Sequence, residues 1–183
     1  MGLFDRLKKS LGPTKKQMME TVKAMLDLME MDIKDIWGIT DTKQFVLAMS
    51  GWIHRKSNFG TRLSALTDEE RVVYIVVSFR GEVNNGGFQQ FLYSSSGAFA
   101  GELLFSLSAI GAKRTAELYR GVLESFPWGI PTDIVQRRKR LEEALTEDIL
   151  KAIDFSDDEF FKDPDDLDQL LYRYIMNNQH RIT

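Results

Sequence analysis

Residues 67–93 read Thr-Asp-Glu-Glu-Arg-Val-Val-Tyr-Ile-Val-Val-Ser-Phe-Arg-Gly-Glu-Val-Asn-Asn-Gly-Gly-Phe-Gln-Gln-Phe-Leu-Tyr, and the choice between strand and helix for their first half decides the fold. Val72 to Val77 has the β-branched density of a buried strand. Against that, Thr67 is followed three positions later by Glu70, the spacing of a capping box. The apolar run also extends to Phe79. Cap and length together select a helix over 68–80. A helix apolar on most of its faces is a central, buried one.

The second half of the stretch turns a corner. Gly86 and Gly87 permit positive φ without a Cβ clash, so the chain can reverse tightly there. Directly afterwards Phe88, Phe91 and Leu92 recur at the spacing of one helical face. The reading is helix, Asn-Gly-Gly elbow, helix. Glu82, Asn84 and Asn85 are expected to tie the corner by satisfying backbone groups left over at helix ends.

The string EVNNGGFQQFLYSSSG, followed by ELLFSLSAIGAKRTAEL, resembles a bacterial family of uncharacterised domains named after a DNA-mimic protein, whose C-terminal domain it matches. The resemblance covers residues 65 to 145 and is strongest from Glu82 through Phe91, with Ile110-Gly111-Ala112 agreeing downstream. It implies an all-helical fold, no known catalysis, and protein binding as the one function attached to the family name.

Outward from this core, helical periodicity continues in both directions. Met18, Val22, Met25, Leu26 and Met29 share a face, and so do Phe45, Val46, Met49, Trp52 and Ile53 behind a cap at Thr40 or Asp41. Downstream, helices are expected over 98–109 and 113–126, then one after Thr132 or Asp133 whose Arg137-Arg138-Lys139-Arg140 run is largely solvated. A short helix is expected near 147–153. The last helix is read with Asp163 as N-cap, Pro164 at its first position, and Asp165 and Asp166 in its first turn. The expected fold is therefore all-α: a compact multi-helix single domain over 13–183 with an N-terminal helical extension.

That extension, residues 1–12, places Leu3, Phe4, Leu7 and Leu11 on one face with Arg6, Lys8 and Lys9 elsewhere on the turn. Such a basic amphipathic segment can lie on a membrane surface through Leu3, Phe4, Leu7, Lys8 and Lys9. A plain helix docked on the body is the simpler reading.

At 183 residues with 43% apolar and 28% charged positions, the chain is that of a soluble globular protein with one substantial core. Zero cysteines exclude disulfides, thiolate metal sites and cysteine catalysis. With no signal peptide or membrane-length apolar run, the expected location is cytoplasmic. The net charge of −3 hides a split: residues 142–168 hold twelve Asp or Glu against two Lys, and the remainder 22 basic against 15 acidic groups.

The chemistry-bearing residues are few. His54 and His180 lack metal-ligand spacing, and Asp154 to Asp165 fails as an EF-hand because Glu159 stands where the loop needs glycine. No P-loop or G-x-G-x-x-G is present. No catalytic residue, metal or cofactor is expected. Two groups are candidates. Glu82, Asn84, Asn85, Gly86, Gly87 and Phe88 form either a ligand site or a structural corner. Asp154, Asp157, Asp158, Glu159, Asp163, Asp165, Asp166 and Asp168 could imitate a phosphate backbone and occupy a basic cleft of a partner.

The expected function is a non-enzymatic module that binds another protein, with a DNA-binding protein as one class of partner through the acidic 142–168 segment. No direct contact to nucleic acid is expected. The alternatives are a small-molecule-binding domain or enzyme centred on Glu82, Asn84 and Asn85, and a peripheral membrane adaptor using residues 3–11. A homodimer is compatible with a domain of this size.

Overall fold

A computed structural model describes residues 14–183, so the readings for residues 1–12 lie outside the described part. Among the described residues there are nine α-helices and no strand, and the chain divides into two compact units at the Trp52–Ile53 bond.

In the first unit, α1 (Lys15–Met29) starts from a capping box in which the Thr14 hydroxyl and the Gln17 side chain satisfy each other's backbone amides. A short α2 (Ile33–Ile36) follows, with Ile36 buried. α3 (Thr42–Lys56) begins with the Asp41 carboxylate accepting from Gln44 N at 2.9 Å. Phe45, Val46 and Met49 are buried, with the Trp37 ring 5.8 Å from that of Phe45.

The second unit is built around α4 (Asp68–Tyr93), which resolves the strand–helix ambiguity in favour of helix. Its capping box forms as the spacing predicts, with Thr67 N donating to Glu70 and Glu70 N donating to the Thr67 hydroxyl. Val72, Val73, Ile75, Val76 and Phe79 are all buried, so the β-branched density serves a helix covered on several sides. Packed on it are α5 (Ala100–Ile110), α6 (Lys113–Glu124), α7 (Ile134–Ala144), α8 (Glu147–Phe160) and α9 (Leu167–Asn177). The centre of the unit is aromatic: the Phe79 ring lies 5.2 to 6.1 Å from those of Phe91, Phe88, Phe160 and Tyr119. The buried Tyr119 hydroxyl donates to Ala100 O at 2.8 Å, and burial pushes its phenol well above the usual range.

α4 is bent at the expected place. Gly86 is extended (φ −173°) and Gly87 left-handed (φ 76°), which separates the long rod from a last segment running to Tyr93. What ties the corner differs from expectation. Glu82 does contribute, but Asn84 and Asn85 are exposed, and their place is taken by Asp157 of α8. Phe88 N starts the second segment without an intrahelical acceptor, and it donates to Asp157 Oδ1 at 2.7 Å. A Cβ on Gly87 would stand 2.2 Å from Asp157 Oδ2, so the carboxylate fills the space a side chain would need.

Three other expectations are corrected. α8 runs to Phe160 instead of stopping near 153, because Ile153, Ser156 and Phe160 continue its buried face. α9 begins at Leu167 with Asp166 as N-cap, not at Pro164. Asp165 is drawn away to α6, where Thr115 N donates to its carboxylate at 2.6 Å. Finally, Arg137 is not solvated: it is 0% exposed and donates to the carbonyls of Leu92, Ser94, Pro131 and Thr132 at 2.7 to 2.9 Å. Its guanidinium thereby caps the C-terminal end of α4, where free carbonyls and the helix dipole favour a cation. Gly97 permits this approach, since a Cβ there would lie 2.7 Å from Arg137 Nε.

Gly87→Ala should destabilise the protein by at least about 2 kcal/mol, from left-handed strain together with the displaced carboxylate. Gly86→Ala, at an extended φ that any residue adopts, should cost less than Gly87→Ala, because its Cβ would meet only the Gln90 side chain, at 3.0 Å. Urea unfolding of both variants checks the contrast. Arg137→Met should cost about 3 kcal/mol or more by the same measurement, because buried carbonyls lose their donors.

Candidate functional site

Tyr74, Ser78 and Glu82 stand at i, i+4 and i+8 on α4 and so line one stripe of it. Gly81 and Asn85 extend that stripe to the elbow. Beyond the elbow the chain returns over the stripe: Gln90 Nε2 donates to Glu82 Oε2 at 3.0 Å, and the Ser96 hydroxyl to Glu82 Oε1 at 3.4 Å. Tyr74, Ser78, Gly81, Glu82, Asn85 and Ser96 line an open cleft of about 580 Å³, with the half-buried Glu82 carboxylate in its wall. His54 closes the far side, its ring 4.8 Å from that of Tyr74. Burial raises the Tyr74 phenol above its usual range, a hydrogen bond with Ser78 opposing the shift.

Glu82 is bonded only to neutral donors, an amide and a hydroxyl, and among the described residues it has no salt bridge. A carboxylate so placed, held by neutral donors and not neutralised, suits a cation through Coulomb attraction and charge-assisted hydrogen bonds.

The sequence candidates are thus partly brought together. Glu82 and Asn85 share this cleft. Asn84 points the other way, into a smaller cleft of about 320 Å³ with Arg80, Phe160, Phe161, Asp163 and Asp168. Gly86, Gly87 and Phe88 belong to the corner. His54, Tyr74, Ser78 and Ser96 were missed as neighbours of Glu82. The spacing of Tyr74 and Ser78 from Glu82, a polar stripe cut into an apolar run, is the sequence signal that marks two of the four positions.

Carboxylates of the acidic segment are mostly engaged within the chain. Asp157 and Asp165 cap the second segment of α4 and α6, and Asp166 caps α9 through Gln169 N at 3.1 Å. Asp168 pairs with Arg80 at 2.5 Å, and Glu159 pairs with Lys162 at 2.5 Å and Arg114 at 4.0 Å. Asp154, Asp158 and Asp163 are exposed. Among the described residues no group of three acidic or histidine side chains converges as a metal site would require, and no helix is long and apolar enough to cross a membrane.

A family model described as DMP19-like protein matches residues 64–178. The chain belongs to this family. The DMP19-like region extends beyond the resemblance read over 65–145, taking in α8 with Asp157 and all of α9. It contains every cleft residue named above except His54, whereas α1, α2 and α3 precede it. No curated protein and no solved structure matches the chain.

Asp157 gives this DMP19-like domain a pH signature. Burial raises its carboxyl above the ordinary value near 3.8, the bond from Phe88 N and the neighbouring Asp154 and Asp158 acting as smaller influences. Folding therefore favours the protonated form. That contribution is complete below about 3.8 and fades as pH rises through the higher folded value. Unfolding free energies measured across this acid window should show the wild-type advantage over Asp157→Asn shrinking with rising pH.

Proposed function

We propose that the chain is a non-enzymatic interaction module whose DMP19-like domain binds a basic protein partner, taking a lysine or arginine side chain into the Glu82 cleft. The observation that carries this reading is the Glu82 carboxylate, half-buried, bonded among the described residues only to Gln90 and Ser96, and set in one cleft with the Tyr74 and His54 rings. A long cationic side chain can lay its stem along the cleft and bring its charge to Glu82. DNA-binding proteins are one class rich in such side chains.

Recognition through the acidic 154–168 run is less well supported. Asp157, Asp165, Asp166 and Asp168 are committed to caps and an ion pair, and their geometry follows the helices they serve. We therefore assign the principal contact to Glu82 and leave Asp154, Asp158 and Asp163 as a secondary acidic surface. A small cationic ligand is the second reading, favoured by the same cleft, whose volume of about 580 Å³ is that of a small-molecule site.

The test is affinity capture from the native host with wild-type protein and with Glu82→Gln, at low and high salt. The expected result is a basic protein retained by the wild type, released by salt, and bound at least about 10-fold more weakly by the variant, with melting temperature little changed. Equal retention by Glu82→Gln overturns the assignment. A melting temperature raised by agmatine in the wild type alone, with no captured protein, favours the second reading.

A further inference from the structure

α1 shows a feature that the DMP19-like region does not explain. Its face of Met18, Met19, Val22, Met25 and Leu26 is 46 to 65% exposed, and no residue of the helix is buried. A helix of 15 residues is marginal in water on its own, and helices of this length owe their stability to the packing of an apolar face. Met18, Met19, Val22 and Leu26 form the floor of an apolar groove of about 590 Å³. Its rim carries Lys15 at the N-terminal end, Lys23 next to Val22 at the middle, and Asp27 and Glu30 toward the C-terminal end.

We propose that this face is a self-association surface, on which α1 of a second copy of the chain packs antiparallel about a two-fold axis at Val22. In that arrangement Val22 meets Val22, Met18 meets Leu26 and Met19 meets Met25, so every apolar position finds an apolar partner. Lys15 and Lys16 of each copy fall beside Asp27 and Glu30 of the other. The two helix dipoles oppose, which also favours the pair. A parallel arrangement would set Lys15 and Lys16 against their own copies and align the dipoles, whereas in the antiparallel one only Lys23, next to the axis, lies near its own copy. The contact is isologous and closes on itself, so it produces a dimer and no filament. The methionines supply adaptable packing.

Sedimentation equilibrium of the full chain tests the proposal. The expected mass is roughly 42 kDa, twice the 21.0 kDa of one chain. Val22→Glu combined with Met25→Glu should give a monomer that keeps its helical far-UV spectrum. Lys15→Glu with Lys16→Glu should weaken the dimer at least about 10-fold, and adding Asp27→Lys with Glu30→Lys should restore it. A wild-type chain that stays monomeric at about 100 µM, including one that instead pellets with anionic vesicles, overturns the proposal. A dimer that survives Val22→Glu with Met25→Glu overturns it as well. A dimer indifferent to the lysine substitutions overturns the antiparallel arrangement.

Discussion

The last segment of α4 exists because charged side chains from remote parts of the chain hold both of its ends. Only a few residues separate Gly87 from Tyr93, too few for a helix to stand alone in water. Its first amide is held by Asp157 and its last carbonyls by Arg137. A third charge, the fully buried Glu70, secures the start of the whole helix by accepting from Thr67 N, from Lys56 Nζ at 2.8 Å and from Thr183 N at 3.0 Å. Each of these groups is costly to bury and tolerable only because it satisfies backbone or an opposite charge. The aromatic cluster around Phe79 fills in between, but it does not by itself specify where α4 bends or stops.

The candidate cleft is a by-product of that bend. A straight α4 would carry Gln90 and Ser96 away from Glu82, and the carboxylate would stand on an open helical surface. Because the chain turns back at Gly87, an amide and a hydroxyl reach the carboxylate and hold it in one orientation without neutralising it. The glycine motif thus serves both features: Asp157 stabilises the turn, and the turn shapes the wall of the candidate cleft. Arg71 and Glu102, joined by two hydrogen bonds of 2.7 and 2.8 Å, tie α4 to α5 near its start, and this pairing holds the Glu102 carboxyl below its usual range.

What was legible in the sequence was local. The capping box at Thr67 and Glu70 outweighed the β-branched run, and the adjacent glycines marked the corner; both signals lie within a few residues of what they determine. What escaped was long-range pairing of charge. Asp157 lies 69 positions from Phe88, and Asp165 lies 50 from Thr115. Nothing in an acidic stretch tells a helix cap from a solvated side chain, so all its carboxylates looked equally available. Arg137 hid in the same way within a basic run. Its neighbour Arg138 also bonds a carbonyl of α4, that of Tyr93, from a more exposed position. The start of α9 was misplaced for a related reason, since Asp165 serves another helix and leaves the cap to Asp166.

The guanidinium of Arg137 also acts as a fastener. It clasps residues 92–94 to residues 131–132 and so encloses α5 and α6 in a ring of chain shut by hydrogen bonds alone. Small proteins often close such rings with a sulfur–sulfur bridge, which limits the freedom of the unfolded chain but opens under reducing conditions. A chain without cysteine has here a clasp of another kind. Reductants and oxidants leave it untouched, and it forms only as the surrounding helices close over it, so shutting the ring and completing the core are a single event.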